Sequence, residues 1–148
     1  MSFQAQIRRV VKCSPERAYA LWTDPELLKQ WFCPKDFPSE VEMDAKPGGS
    51  IRIVMHFKPD DYYGLTCKIL RMDPPKQFAF TWQWDESSFD PGVSEVEVFF
   101  DPVPGGTAVT LKHTKLASEV SVDRHGEGWG QVLNRFEESA NTLEEMNT

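Results

Sequence analysis

The sequence predicts a single α+β domain, an antiparallel sheet wrapped around one long C-terminal helix. Three observations carry this. Apolar and polar residues alternate at period two through most of residues 39–113. Short words of Pro, Gly and Asp separate the alternating runs, as hairpins between neighbouring antiparallel strands require. From Trp129 onward the period changes: Trp129, Val132, Leu133, Phe136, Ala140 and Leu143 recur at three- and four-residue steps, with Arg135, Glu137, Glu138 and Glu144 opposite.

Residues 3–12 read as a half-buried strand, with Phe3, Ala5, Ile7 and Val11 on one side. Ser14-Pro15-Glu16 is a helix start, a capping side chain followed by a proline suited to the first turn. The helix it opens runs from Arg17 to Trp22. Asp24-Pro25-Glu26 repeats the signal and opens a second, through Leu27, Leu28 and Trp31. Helices of about two turns do not persist alone, so both must pack on a larger body.

Six strands follow. Val41, Met43 and Ala45 mark the first, and Pro47-Gly48-Gly49 turns the chain into Ile51, Ile53, Met55 and Phe57. Pro59-Asp60-Asp61 leads to Leu65, Cys67 and Ile69, and Asp73-Pro74-Pro75-Lys76 leads to Phe78, Phe80, Trp82 and Trp84. After a loop at 85–93 come Val96, Val98 and Phe100, the turn 102–106, and Val109, Leu111 and His113. Curling such a sheet around the one long helix buries every apolar face at once.

The totals limit function. At 148 residues with 40% apolar and 26% charged side chains, the chain can bury a core and is one domain spanning 1–148. The net charge of −7 repels nucleic acid and anionic membranes. No apolar run approaches the ~20 residues that span a bilayer, and the first residues lack a signal-peptide core. Three scattered cysteines, Cys13, Cys33 and Cys67, suit reduced thiols, and the reading is a cytoplasmic protein. No histidines are spaced as metal ligands, so no metal and no cofactor is expected.

Several segments resemble the heat-shock-protein-90 ATPase activator homologue family: residues 21–32 (LWTDPELLKQWF), residues 43–50 (MDAKPGGS), the Asp73-Pro74-Pro75 turn with Phe78-Ala79-Phe80-Thr81 after it, and Gly128-Trp129 opening the last helix. The resemblance spans nearly the whole chain. It implies the helix-grip fold of the SRPBCC superfamily, shared with START lipid-transfer domains, pollen allergens and polyketide cyclases: a curved sheet of about seven strands, a long C-terminal helix, and two short helices after strand 1. It does not imply one activity.

The candidate site residues follow from strand alternation. Arg9 shares a face with Ile7 and Val11, so it either pairs with an internal carboxylate, snorkels, or hooks a ligand's carboxylate. His113 sits inward with Val109 and Leu111, as a hydrogen-bonded core residue or a ligand contact. His56 reads as outward, and His125 as lying near the final helix start. Phe78, Phe80, Trp82 and Trp84 form an aromatic stripe, either core or the wall of an apolar cavity that Met55, Phe57, Trp129 and Phe136 would complete. Such a cavity would need on the order of 300 Å³ to take a ligand. Trp22 and Trp31 are expected to anchor the two short helices as a lid over its mouth. Gly126, Gly128 and Gly130 form no phosphate loop, since no strand leads in and no Lys-Ser/Thr follows; they are expected to permit close helix packing. Cys33 has no neighbour that would lower its pKa.

Three functions of different class fit. The first is a binding module holding a small hydrophobic or amphipathic molecule, as a monomer or homodimer. The second is a cyclase- or hydratase-type enzyme of the same superfamily, for which Arg9 and His113 are the acid–base candidates. The third is a co-chaperone acting on the heat-shock ATPase. The eukaryotic activators carry an extra domain before this one, and a first strand near residue 3 leaves no room for it, so the expectation is against a chaperone partner.

Overall fold

The computed structural model describes residues 3–32, 40–58, 61–85 and 92–146. Cys33, Pro59-Asp60 and residues 86–91 lie outside them, and so do the side chains of Phe57 and Leu143. The chain forms β1 (Phe3–Val11), α1 (Pro15–Thr23), α2 (Pro25–Phe32), β2 (Glu40–Met43), β3 (Ser50–Lys58), β4 (Asp61–Asp73), β5 (Gln77–Trp84), β6 (Ser94–Val103), β7 (Gly106–Leu116) and α3 (Glu119–Met146). The seven strands make one antiparallel sheet in the order β1-β7-β6-β5-β4-β3-β2. Only β1 is out of sequence, because α1 and α2 carry the chain from one edge of the sheet to the other.

The start signals act as read. Ser14 Oγ accepts from Arg17 N at 3.3 Å, and Pro15 opens α1. Asp24 serves both short helices. Its backbone N–H closes α1 onto Ala20 O at 2.9 Å, while its carboxylate accepts from Glu26 N at 3.0 Å. The turn before β3 needs its glycines: Gly48 has φ +84°, and a Cβ on Gly49 would run into Asp44 O. Gly64 in β4 is forced from a side-chain neighbour. A Cβ there would overlap the Asp85 carboxylate, which holds Arg52 in a two-pronged pair at 2.7 and 2.6 Å.

The core lies between the concave face of the sheet and α3. Trp129, Leu133, Phe136 and Ala140 are buried there, with Phe136 completely enclosed. Phe136 meets Trp22 edge-on at 5.6 Å and Trp31 at 5.0 Å between centroids. α1 and α2 are tied in by polar links as well: Trp31 Nε1 donates to Leu21 O at 2.9 Å, and Arg135 Nε to Trp31 O at 3.0 Å.

Two expectations need correction. α3 begins at Glu119, well before Gly128-Trp129. Ser118 caps it, its Oγ accepting from Ser121 N at 3.1 Å and its carbonyl from Val122 N at 3.0 Å. The three helical glycines also do not allow close packing, since a Cβ on Gly126, Gly128 or Gly130 would meet nothing within 4 Å.

Candidate functional site

Starting α3 at Glu119 adds ten residues before Trp129, nearly three turns, and turns Ser121 and His125 inward toward the aromatic end of β5. Between them lies a hollow of about 190 Å³. Its sheet side is Met55, Trp82 and Trp84, and Phe32 at the end of α2 closes one flank. From α3 come His125, Trp129 and Val132, with Arg124 and Gly128 exposed at the lip. The walls are apolar. Beneath it, behind Phe32 and Trp82, is a void of about 10 Å³ bounded by Trp22, Phe80 and Cys67 among others. Burial pushes the Cys67 thiol well above its ordinary pKa, so it stays a neutral thiol.

Under the apolar surface runs a polar network with its protons fixed by elimination. An indole can only donate. Trp129 Nε1 lies 3.0 Å from His113 Nδ1, so that nitrogen accepts, and Nε2–H of neutral His113 donates to Ser94 Oγ at 2.7 Å. Ser94 in turn donates to Trp82 O at 3.4 Å. Trp84 Nε1 donates to His125 Nε2 at 3.2 Å, leaving His125 Nδ1–H for Ser121 O at 2.8 Å. Both imidazoles are therefore neutral in this arrangement, and of opposite tautomer. Burial first, and the neighbouring His125 second, hold the His113 pKa down to about 3.

The expected residues separate into groups. Met55, Trp82, Trp84 and Trp129 border the hollow together. His113 sits one layer deeper, completely buried, its ring edge-on to Trp82 at 5.2 Å. Phe80 borders the small void, and Phe136 packs against α1 and α2 away from the hollow. Arg9 faces α3 from the edge strand, with Nη2 3.4 Å from Asn134 Oδ1, and it does not border the hollow. Trp22 and Trp31 are buried under α3 and do not cover the mouth. The Phe57 side chain lies outside the described residues.

Sequence reasoning passed over His125, Phe32, Arg124 and Val132. The signal was present for three of them. Arg124, His125 and Val132 fall on one side of a helix with Trp129, once the helix is extended back to its serine cap. Among the described residues no three His, Cys, Asp or Glu side chains gather as a metal site, and no helix is long and apolar enough to cross a membrane.

Comparison with known proteins places this geometry in a family. The architecture resembles protein CV1439 from Chromobacterium violaceum, with a TM-score of 0.84 at 22% identity over 93% of this chain and 96% of that one. It also resembles SA2116 from Staphylococcus aureus, a protein of unknown function, with a TM-score of 0.79 at 20% identity over 98% and 97% of the two chains. These likenesses establish the fold, which is helix-grip. No match was found among curated proteins. Residues 12–141 match the family described as activator of Hsp90 ATPase homolog 1-like protein, and the chain belongs to that family.

Proposed function

We propose that this protein binds a small, mostly apolar molecule in the hollow between β5 and the first half of α3. The observation that carries the reading is the hollow itself. It is open at the lip, walled by indole, phenyl and thioether groups, and backed by a polar layer whose protons are already matched. Binding sites for small molecules combine apolar walls with a few placed polar groups in this way.

The volume narrows the ligand. An engineered apolar cavity of about 150 Å³ in another protein takes up benzene. At about 190 Å³ this hollow suits one ring, or two small fused rings, and is too small for a sterol or a long acyl chain. It also falls below the expected volume of about 300 Å³.

Titration with indane, a compact hydrocarbon, tests the reading. Tryptophan emission should change saturably as it enters beside Trp82, Trp84 and Trp129. Met55→Trp, which fills the hollow, should abolish the response. An emission unchanged at indane saturation, with no shift in the methyl resonances of Met55 and Val132, would remove the hollow as a binding site.

A further inference from the structure

Hydrogen-bonding capacity around the hollow is lopsided. The acceptors are used: both nitrogens of His113 and of His125 have partners, and Ser94 lies behind His113. The indole N–H groups of Trp84 and Trp129 are used as well. That of Trp82 is not. Its Nε1 is buried with no acceptor among the described residues, although the side chain divides the hollow from the small void and both spaces are empty of protein atoms. Trp82 as a whole is 5% exposed. Trp22, which also borders the small void, has its Nε1 buried without a partner as well. Buried donors are matched in the great majority of cases, so two unmatched indoles around one pair of spaces call for an explanation. At the lip stands Arg124, a guanidinium that only donates. Met55 contributes no more than a weak acceptor.

We infer that the ligand is a one- or two-ring compound carrying a hydrogen-bond acceptor of the carbonyl type, which takes the proton of Trp82 Nε1–H. This rests on the hollow being a binding site and adds the chemistry of its occupant. The unmatched groups bordering the two spaces, Trp82 and Trp22 Nε1, are donors, so an ammonium or a donor-only ligand would find no partner there and would meet Arg124 at the lip. A carbonyl oxygen finds a donor already free of its water. The Trp82 nitrogen is covered in the empty hollow, so on this reading the ring turns as the ligand enters, as side chains do on binding.

Three probes of matching shape separate this from plain apolar binding: indane, 1-indanone and protonated 1-aminoindane, titrated into the full chain by calorimetry. Water solvates the ketone better than the hydrocarbon, so transfer alone would make 1-indanone the weaker ligand. Binding of 1-indanone about fivefold or more tighter than indane is expected, the size of one net hydrogen bond, with 1-aminoindane weakest. In wild-type protein, the Trp82 indole N–H resonance should move downfield with 1-indanone and not with indane. Trp82→Phe should remove the ketone's advantage, leaving 1-indanone no tighter than indane. Indane binding as tightly as 1-indanone, or a Trp82 resonance indifferent to the ketone, overturns the acceptor assignment while leaving the hollow as an apolar site. Failure of all three probes to bind overturns both.

Discussion

The rings of His113 and His125 lie 4.7 Å apart at 70° to each other, one held by β7 and the other by α3. Each accepts an indole N–H from a different tryptophan, and a second proton on His113 would break its bond to Trp129. The layer under the hollow is therefore built from two neutral imidazoles, and acid works against it.

This gives the first prediction. Above its ordinary pKa of 6.5, His113 is neutral whether the chain is folded or not, and stability is level with respect to it. As pH falls below 6.5 the unfolded chain takes a proton that the folded chain declines until about pH 3. Stability should fall across that window by up to about 1.4 kcal/mol per pH unit. Urea midpoints of wild type and His113→Gln at pH 7, 6 and 5 check it. The wild type should lose more stability than the variant, and parallel losses would show that His113 is not the cause.

The second prediction concerns Phe136, which is completely enclosed between α3 and the two short helices. Phe136→Ala should cost about 3–5 kcal/mol, since the rings of Trp22 and Trp31 cannot both close on the space. Because Phe136 does not border the hollow, the affinity for indane should hardly change while the variant stays folded. Chemical denaturation alongside a binding titration reads both quantities.

A third prediction follows from the packing of Gly64 against Asp85. Gly64→Ala displaces the Asp85 carboxylate from Arg52. That pair is more than a third exposed on each side, so its loss should cost on the order of 1 kcal/mol or less. In the Asp85→Ala background the same Gly64→Ala change should be nearly neutral. A cycle of four proteins measures the difference, and additive effects would mean that the glycine is required by the strand rather than by its neighbour.

The fourth prediction reverses the usual expectation for glycine in a helix near a core. Gly126→Ala and Gly130→Ala meet open space, so each should stabilise the chain by about 0.4–1 kcal/mol without altering probe binding. Gly128 is at the lip of the hollow, and Gly128→Ala should stabilise similarly while weakening binding. Thermal melts and indane titrations of the three variants make the comparison.

How far these features could be read in advance depended on whether a local pattern decided them. The sheet was legible because each strand shows its own alternation, and α1 and α2 because Ser14 and Asp24 carry their own caps. The start of α3 was hidden by three glycines, which as sequence look like a break. Only the Ser118 cap and the stripe from His125 to Trp129 carry the helix through them. That error hid His125 in turn. The facing of Arg9 toward α3 followed from period two, but its distance from the hollow depends on β1 being an edge strand, which alternation does not specify. Nor does any pattern in the aromatic stripe say that Phe32 would cut the interior into two spaces. That outcome belongs to how three elements pack.

The place of β1 in the sheet also governs how the chain can come to be folded. Its ladder pairs Val11 with Thr107 and Ile7 with Leu111, and Lys12 N donates to Asn141 Oδ1 on the last helix at 2.9 Å. Residues at the start of the chain thus wait for residues made at the end. The meander from β2 to β7 can zip up from local hairpins, but the edge of β7 stays unpaired until β1 returns to it from the start of the chain. Closing so long a loop is slow. During synthesis on a ribosome β1 would therefore stay without its ladder partner until β7 has emerged.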